Sequence, residues 1–413
     1  MKIRVPITDF KRHFLLYIYW ILFFLQIPIT AIIFRENTNN GTILYAVIDI
    51  CFLFIYLIKH NKNTLGNYII KLHPLALYLA WCTISIFWSI SNETFYNISL
   101  VLKDTIRLII ALLMLSTYEK NAFILNFFRA IAVSALLFGV FTLVSIDYIQ
   151  EYNTGAHRAM YEGYKDAVGV GRQASFIFLL LFSGYFTGYI KKTTFFISGT
   201  PCFLIALFAF SKSSLIALFI SMYISFMSVN KNYRFSIKNM MLNTLILLLA
   251  TVTIVYIRSD YLISYITAQG GNNLMTYSGR TVIWDELLSH VDSTLIYGYG
   301  LNPVYELVMH NPLLKASTAH NEILQQVLSY GWIGLIFWCF VHFKYYNSYR
   351  HCVNRAYAQI MQAVLIFYMI AGFMESVLVL SIFPVYFIAL FWILGLNKKY
   401  YKTEEYRAFE AIR

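Results

Sequence analysis

Apolar runs of about 17–25 residues recur from end to end of this chain, and they leave it few folds. The runs do not alternate polar with apolar residues, so they read as helices and not as strands. In lipid every backbone N–H and C=O has to be satisfied inside its own element, which restricts spanning structures to helix bundles and closed barrels. Composition agrees. The 413 residues are 59% hydrophobic and 13% charged, whereas a soluble domain is about a quarter charged. The expected fold is all-α, a polytopic membrane helix bundle of about twelve spans. These fall at 13–34, 42–58, 72–90, 98–117, 123–147, 173–190, 194–211, 213–229, 239–257, 323–343, 358–377 and 380–397. Residues 1–413 form one integral membrane domain, with 258–322 as a large loop within it. The first run is long enough to be a retained span and not a cleaved signal.

The formal charge of +12 does not imply nucleic acid, because the cations gather at the ends of alternate spans, the pattern that orients helices in a bilayer. Lys2, Arg4, Lys11 and Arg12 put the N-terminus in the cytoplasm, and Lys398, Lys399, Lys402 and Arg407 do the same for the C-terminus. The five cysteines lie in or beside apolar runs with no metal-like spacing and no disulfide framework.

Two outer connections break the cation-poor pattern. Residues 148–172 carry His157, Arg158, Lys165 and Arg172; residues 258–321 carry Arg258, Arg280, His290, His310, Lys315 and His320. Lys212 is a third outer cation, in the tight turn between the seventh and eighth runs. Cations collected on one face make a positive funnel suited to an anionic ligand. Within the long loop, Val282, Ile283, Leu287, Leu288 and Val291 fall at helical spacing, Gly298-Tyr299-Gly300 breaks the pattern, and Pro303 and Pro312 come after it. One or two short helices across the bundle mouth are expected.

Arg280 is the first candidate, since a guanidinium stays charged and grips phosphate oxygens in a two-point fork. A solvated loop arginine, or a salt bridge to Asp285 or Glu286, is the plainer alternative. His320 is the side chain suited to take a proton near neutral pH, with Asn321 and Glu322 placed to orient it; an interfacial histidine without a task is the alternative. Lys212 either snorkels to the surface or points inward at a phosphate. Arg172 sits in Gly169-Val170-Gly171-Arg172, whose small residues allow close ligand approach. Trp284 either stacks on a sugar or packs on the bundle. Lys103, Asp104 and Arg107 share a run, and their spacing favours an Asp104–Arg107 structural pair; Glu375 marks the outer end of the eleventh run. Phosphate-loop, zinc-hydrolase, CxxC and nucleophile-elbow motifs do not occur, so no metal and no cofactor is expected.

One ordered set of motifs remains: Trp88-Ser89, Lys212 in Phe210-Ser211-Lys212-Ser213-Ser214, Gly279-Arg280 with Ile283-Trp284, Gly298-x-Gly300, and His320-Asn321 with Gly331 and Gly334. In this the chain resembles the O-antigen ligase and polymerase superfamily of bacterial envelope glycosyltransferases, mainly over residues 200–345. The resemblance implies about twelve spans with one large periplasmic loop in the inner membrane. It also implies an undecaprenyl-pyrophosphate-linked oligosaccharide donor and metal-independent transfer with inversion. By that match Arg280 holds the pyrophosphate and His320 activates the acceptor hydroxyl, while Lys212 stands where the family usually has arginine, which keeps the charge but loses the planar fork. Arg172 is added on position and charge. Polymerisation of repeat units is the leading expectation. Ligation to lipid A–core is the second, and a flippase or exporter, which is not an enzyme, the third. A flippase and a chain-length regulator are expected partners alongside the lipid bilayer.

Overall fold

The computed structural model describes residues 7–34, 38–59, 62–92, 94–150, 157–161, 167–209, 211–229, 280–291, 296–310, 318–352, 354–374 and 383–395. The helices are α1 Ile7–Phe24, α2 Gln26–Phe34, α3 Thr38–Lys59, α4 Lys62–Lys71, α5 His73–Ile84, α6 Thr94–Thr117, α7 Lys120–Ser145, α8 Ala167–Phe186, α9 Lys192–Phe208 and α10 Lys212–Val229. They continue with α11 Arg280–Ser289, α12 Val304–Val308, α13 Glu322–Arg350, α14 Arg355–Met374 and α15 Phe383–Gly395. A 3₁₀ turn, Ser85–Trp88, extends α5. Each expected run except 239–257 overlaps a helix, with 13–34 divided between α1 and α2, and 239–257 lies outside the described residues. Among the described residues, four helices can cross a membrane by length and composition (Lys120–Thr142, Val168–Phe186, Glu322–Arg350 and Ala356–Phe373), and the pair Leu65–Lys71 with His73–Trp88, bent by 76°, has the form of a broken span or a re-entrant loop.

The all-α expectation needs one correction. Residues 146–150 and 157–161 form an antiparallel hairpin, with Ile146 opposite Tyr161 and Gln150 opposite His157. The run Ile-Asp-Tyr-Ile-Gln contains two β-branched residues and a tyrosine, which suit a strand, and its Asp and Gln interrupt the apolar run that a span would need. Arg107 has a partner that its own segment does not supply. Its Nε donates to Asp49 Oδ2 at 2.6 Å, so the ion pair joins α6 to α3; the Asp104 side chain lies outside the described residues. Both side chains are almost fully buried, and the guanidinium also covers the Phe23 ring at 5.2 Å. A guanidinium sealed between helices takes the carboxylate that faces it across the interface.

Breaks in the helices are matched by partners elsewhere. Pro28 has no N–H to give the carbonyl four residues back, so the Phe24 carbonyl, at the α1–α2 break, is free to accept from buried Gln173 Nε2 of α8 at 2.7 Å. That bond registers the first turns of α8. α14 packs against α8, α10, α13 and α15, and thereby gathers the ends of α8, α10 and α13 around its own C-terminal end.

Candidate functional site

The site begins with a break in α13. Gly331 has φ 64° and ψ −168° inside an otherwise continuous helix, a conformation open to glycine and disfavoured for other residues. Three carbonyls are thereby released from the helical ladder and accept from outside it. Leu328 O accepts from Tyr299 N at 2.7 Å and Ser329 O from Gly300 N at 2.9 Å. Tyr330 O accepts from Trp81 Nε1 at 2.9 Å. In return Ile333 N donates to Ile296 O at 3.3 Å. The loop 296–303 is thus threaded between α13 and the α5 end, where Ile90 N donates to Tyr299 O at 3.1 Å and Ser89 Oγ to Leu301 O at 2.7 Å. A β-carbon on Gly300 would fall 2.7 Å from Ser85 O, so only glycine fits there. Trp88 packs beside Trp81 and Tyr297, which gives it a place in the junction beyond that of an interfacial anchor.

The loop helices rest on this junction. The two expected short helices are α11 and α12, and they share a small core with the start of α13: Leu287, Val304, Leu307, Val308, Ala319 and Leu328. It is separate from the main bundle core. Tyr299 OH donates to His290 O at 3.1 Å, and His290 Nε2 lies 3.8 Å from Glu286 Oε1.

Arg280 is the first residue of α11 and is half-buried. Trp284, one turn on, donates its indole N–H to Ala319 O at 2.8 Å. The arginine helix is therefore tied to the residue that precedes His320. His320 is half-buried with φ 48°, one of two non-glycine residues with positive φ among those described. For an L-residue this region costs about 1–2 kcal/mol, and such strain persists only where the surroundings over-determine it. Asn321 caps α13 by accepting from Leu324 N at 3.0 Å, and its Nδ2 donates to Phe373 O of α14 at 3.2 Å. Glu322 turns into the bundle. It is buried, accepts from Gln326 Nε2 at 2.8 Å, and packs at Gly372 of α14. The same Gln326 nitrogen donates to Tyr78 OH at 2.7 Å.

One turn below Gly372, Tyr368 lies close enough to Arg172 to feel its charge, and it packs on Phe176 at 5.1 Å. Among the described residues the buried Tyr368 hydroxyl has no hydrogen-bond partner and Arg172 makes no ion pair. Arg172 lies five residues inside α8, which starts at Ala167, ahead of the expected run 173–190. Gly171 packs against Ser211, which precedes Lys212 at the start of α10; the Lys212 side chain lies outside the described residues. A chain of contacts therefore runs from α11 through the His320 turn and the end of α14 to the starts of α8 and α10. Glu375 and residues 258–279 lie outside the described residues.

Residues 194–339 match the family model described as O-antigen ligase. Over that segment, which is less than half of the chain, the sequence is similar to the O-antigen ligase family. The match takes in Lys212, Arg280, Trp284, His320, Asn321 and Glu322, together with the glycines of the junction, and leaves Arg172 outside. The apolar helices around the matched segment suit a multi-pass membrane protein. No curated protein matches the chain.

Sequence reasoning missed Gln325, Gln326, Tyr78 and Tyr368. The first two carried a signal: adjacent glutamines near the start of an apolar run are costly in lipid unless each amide finds a partner.

Proposed function

We propose that the protein polymerises oligosaccharide repeat units carried on undecaprenyl pyrophosphate, building an O-antigen, capsule or exopolysaccharide. The observation that carries this reading is the tie between the Arg280 helix and the His320 turn, inside the segment that matches the family. The acceptor hydroxyl attacks the anomeric carbon, the bond from that carbon to the pyrophosphate oxygen breaks, and His320 takes the hydroxyl proton. Base catalysis of this kind is typically worth about 10²–10⁴-fold. Negative charge grows on the departing diphosphate, where Arg280, Lys212 and Arg172 stabilise it without help from a metal or cofactor. Inversion by a single displacement belongs to this reading through the family resemblance. About twelve spans, both termini in the cytoplasm and a periplasmic loop at 258–322 belong to the same reading.

Ligation to lipid A–core uses the same donor chemistry, and the description of the matching family favours it as the second reading. Reconstitution with a lipid-linked repeat unit, offered either a second such unit or lipid A–core, separates the two by which acceptor is extended. Extension of neither refutes both. Arg280→Ala is expected to abolish product while the protein still accumulates in the membrane; unchanged chain length in that variant refutes the role of Arg280.

A further inference from the structure

Ala319 is fully buried, and both of its peptide groups are taken by side chains. Its N–H donates to Gln325 Oε1 at 2.8 Å, and its carbonyl accepts from Trp284 Nε1 at 2.8 Å. Gln325 has no exposed surface, and its amide nitrogen is spent on Ser329 Oγ at 3.2 Å, next to the Gly331 break. A helix start needs a cap, and Asn321 already supplies it. The two bonds on Ala319 therefore serve something other than starting α13. The next residue, His320, lies in the left-handed region, and Asn321 beyond it is fixed by its own two bonds. With both neighbours pinned, the His320 backbone is held in its disfavoured conformation, which fixes the origin and direction of its Cα–Cβ bond and limits where the imidazole can reach.

We propose that Gln325 and Trp284 are positioning residues that aim His320 at the acceptor hydroxyl by clamping Ala319 from both sides. The inference rests on the reading of His320 as the base. It replaces sugar stacking as the task of Trp284. Because Trp284 lies one turn from Arg280 on α11, the clamp also registers the side that takes the proton against the side that holds the leaving group.

The test uses the full chain in proteoliposomes with the lipid-linked repeat unit, measuring kcat, donor KM and the pH profile. Gln325→Met keeps the length and loses the acceptor for Ala319 N–H; kcat is expected to fall about tenfold or more with donor KM within about twofold. Trp284→Phe keeps a ring and loses the N–H, with a kcat loss of about three- to tenfold. Gln325→Glu keeps an acceptor oxygen and is expected to hold kcat within about threefold of wild type. The double variant Gln325→Met/Trp284→Phe is expected to lose less than the product of the singles, since both act on one residue. Unchanged kcat in Gln325→Met overturns the clamp, and so does a raised KM at full kcat. Equal loss in Gln325→Glu and Gln325→Met, with matching loss of thermal stability, also overturns it. Should Gln325→Met fail to accumulate, Trp284→Phe decides by the same kcat and KM criteria. A wild type inactive on both acceptors refutes the function and the clamp with it, whereas an active wild type with an indifferent clamp refutes only the clamp.

Discussion

The α1, α7 and α15 packing and the α13 break are built on opposite principles. In the first, Trp20, Phe23, Phe24, Phe127 and Phe387 meet ring to ring at 4.6–6.2 Å. Such contacts are numerous, weakly directional and tolerant of repacking. At the α13 break, a few backbone hydrogen bonds and glycines with no spare room fix one arrangement. The aromatic region sets which helices lie together, and the junction sets where Arg280 and His320 stand. Bulk holds the bundle, and direction holds the site.

The comparison is broken most severely at Gly300. Gly300→Val drives a branched side chain into the α5 end, and at positive φ it adds backbone strain. A loss of more than about 2 kcal/mol of stability is expected, with transfer abolished. Thermal unfolding and turnover of the purified protein check both, and a stable, active variant would mean that the junction yields. Next comes Arg107→Leu, which strands the buried Asp49 carboxylate beside the aromatic region. About 3–5 kcal/mol is expected for an uncompensated buried charge, with recovery when Asp49→Asn is added; failure to recover would assign the loss to packing at Phe23. The smallest effect is expected from Phe127→Leu, about 1–2 kcal/mol with kcat unchanged. A marked fall in kcat there would show that the aromatic region positions the site after all.

The fold was legible in the sequence wherever a single segment carries its own signal. The apolar runs marked the helices, and Val282, Ile283, Leu287 and Leu288 marked α11. Features that need two distant segments were not legible. Arg107 pairs with Asp49, 58 residues back, a contact that no local spacing announces. The Gly298-x-Gly300 and Gly331 motifs were visible, but nothing in a linear pattern says that one glycine loop fills the gap left by another. The 146–161 hairpin was too short to stand out among spans. For the site, residue types pointed to Arg280 and His320. The task of Trp284 depended on the Ala319 carbonyl, a main-chain atom that no side-chain pattern reveals.

The Asp49–Arg107 bond also bears on biogenesis. Synthesis runs from the N-terminus, so α3 leaves the ribosome well before α6. An acidic group alone at mid-bilayer is costly. A membrane-inserted α3 would lack the Arg107 counter-charge until α6 followed it, so the two helices are expected to be more stable in lipid together than apart.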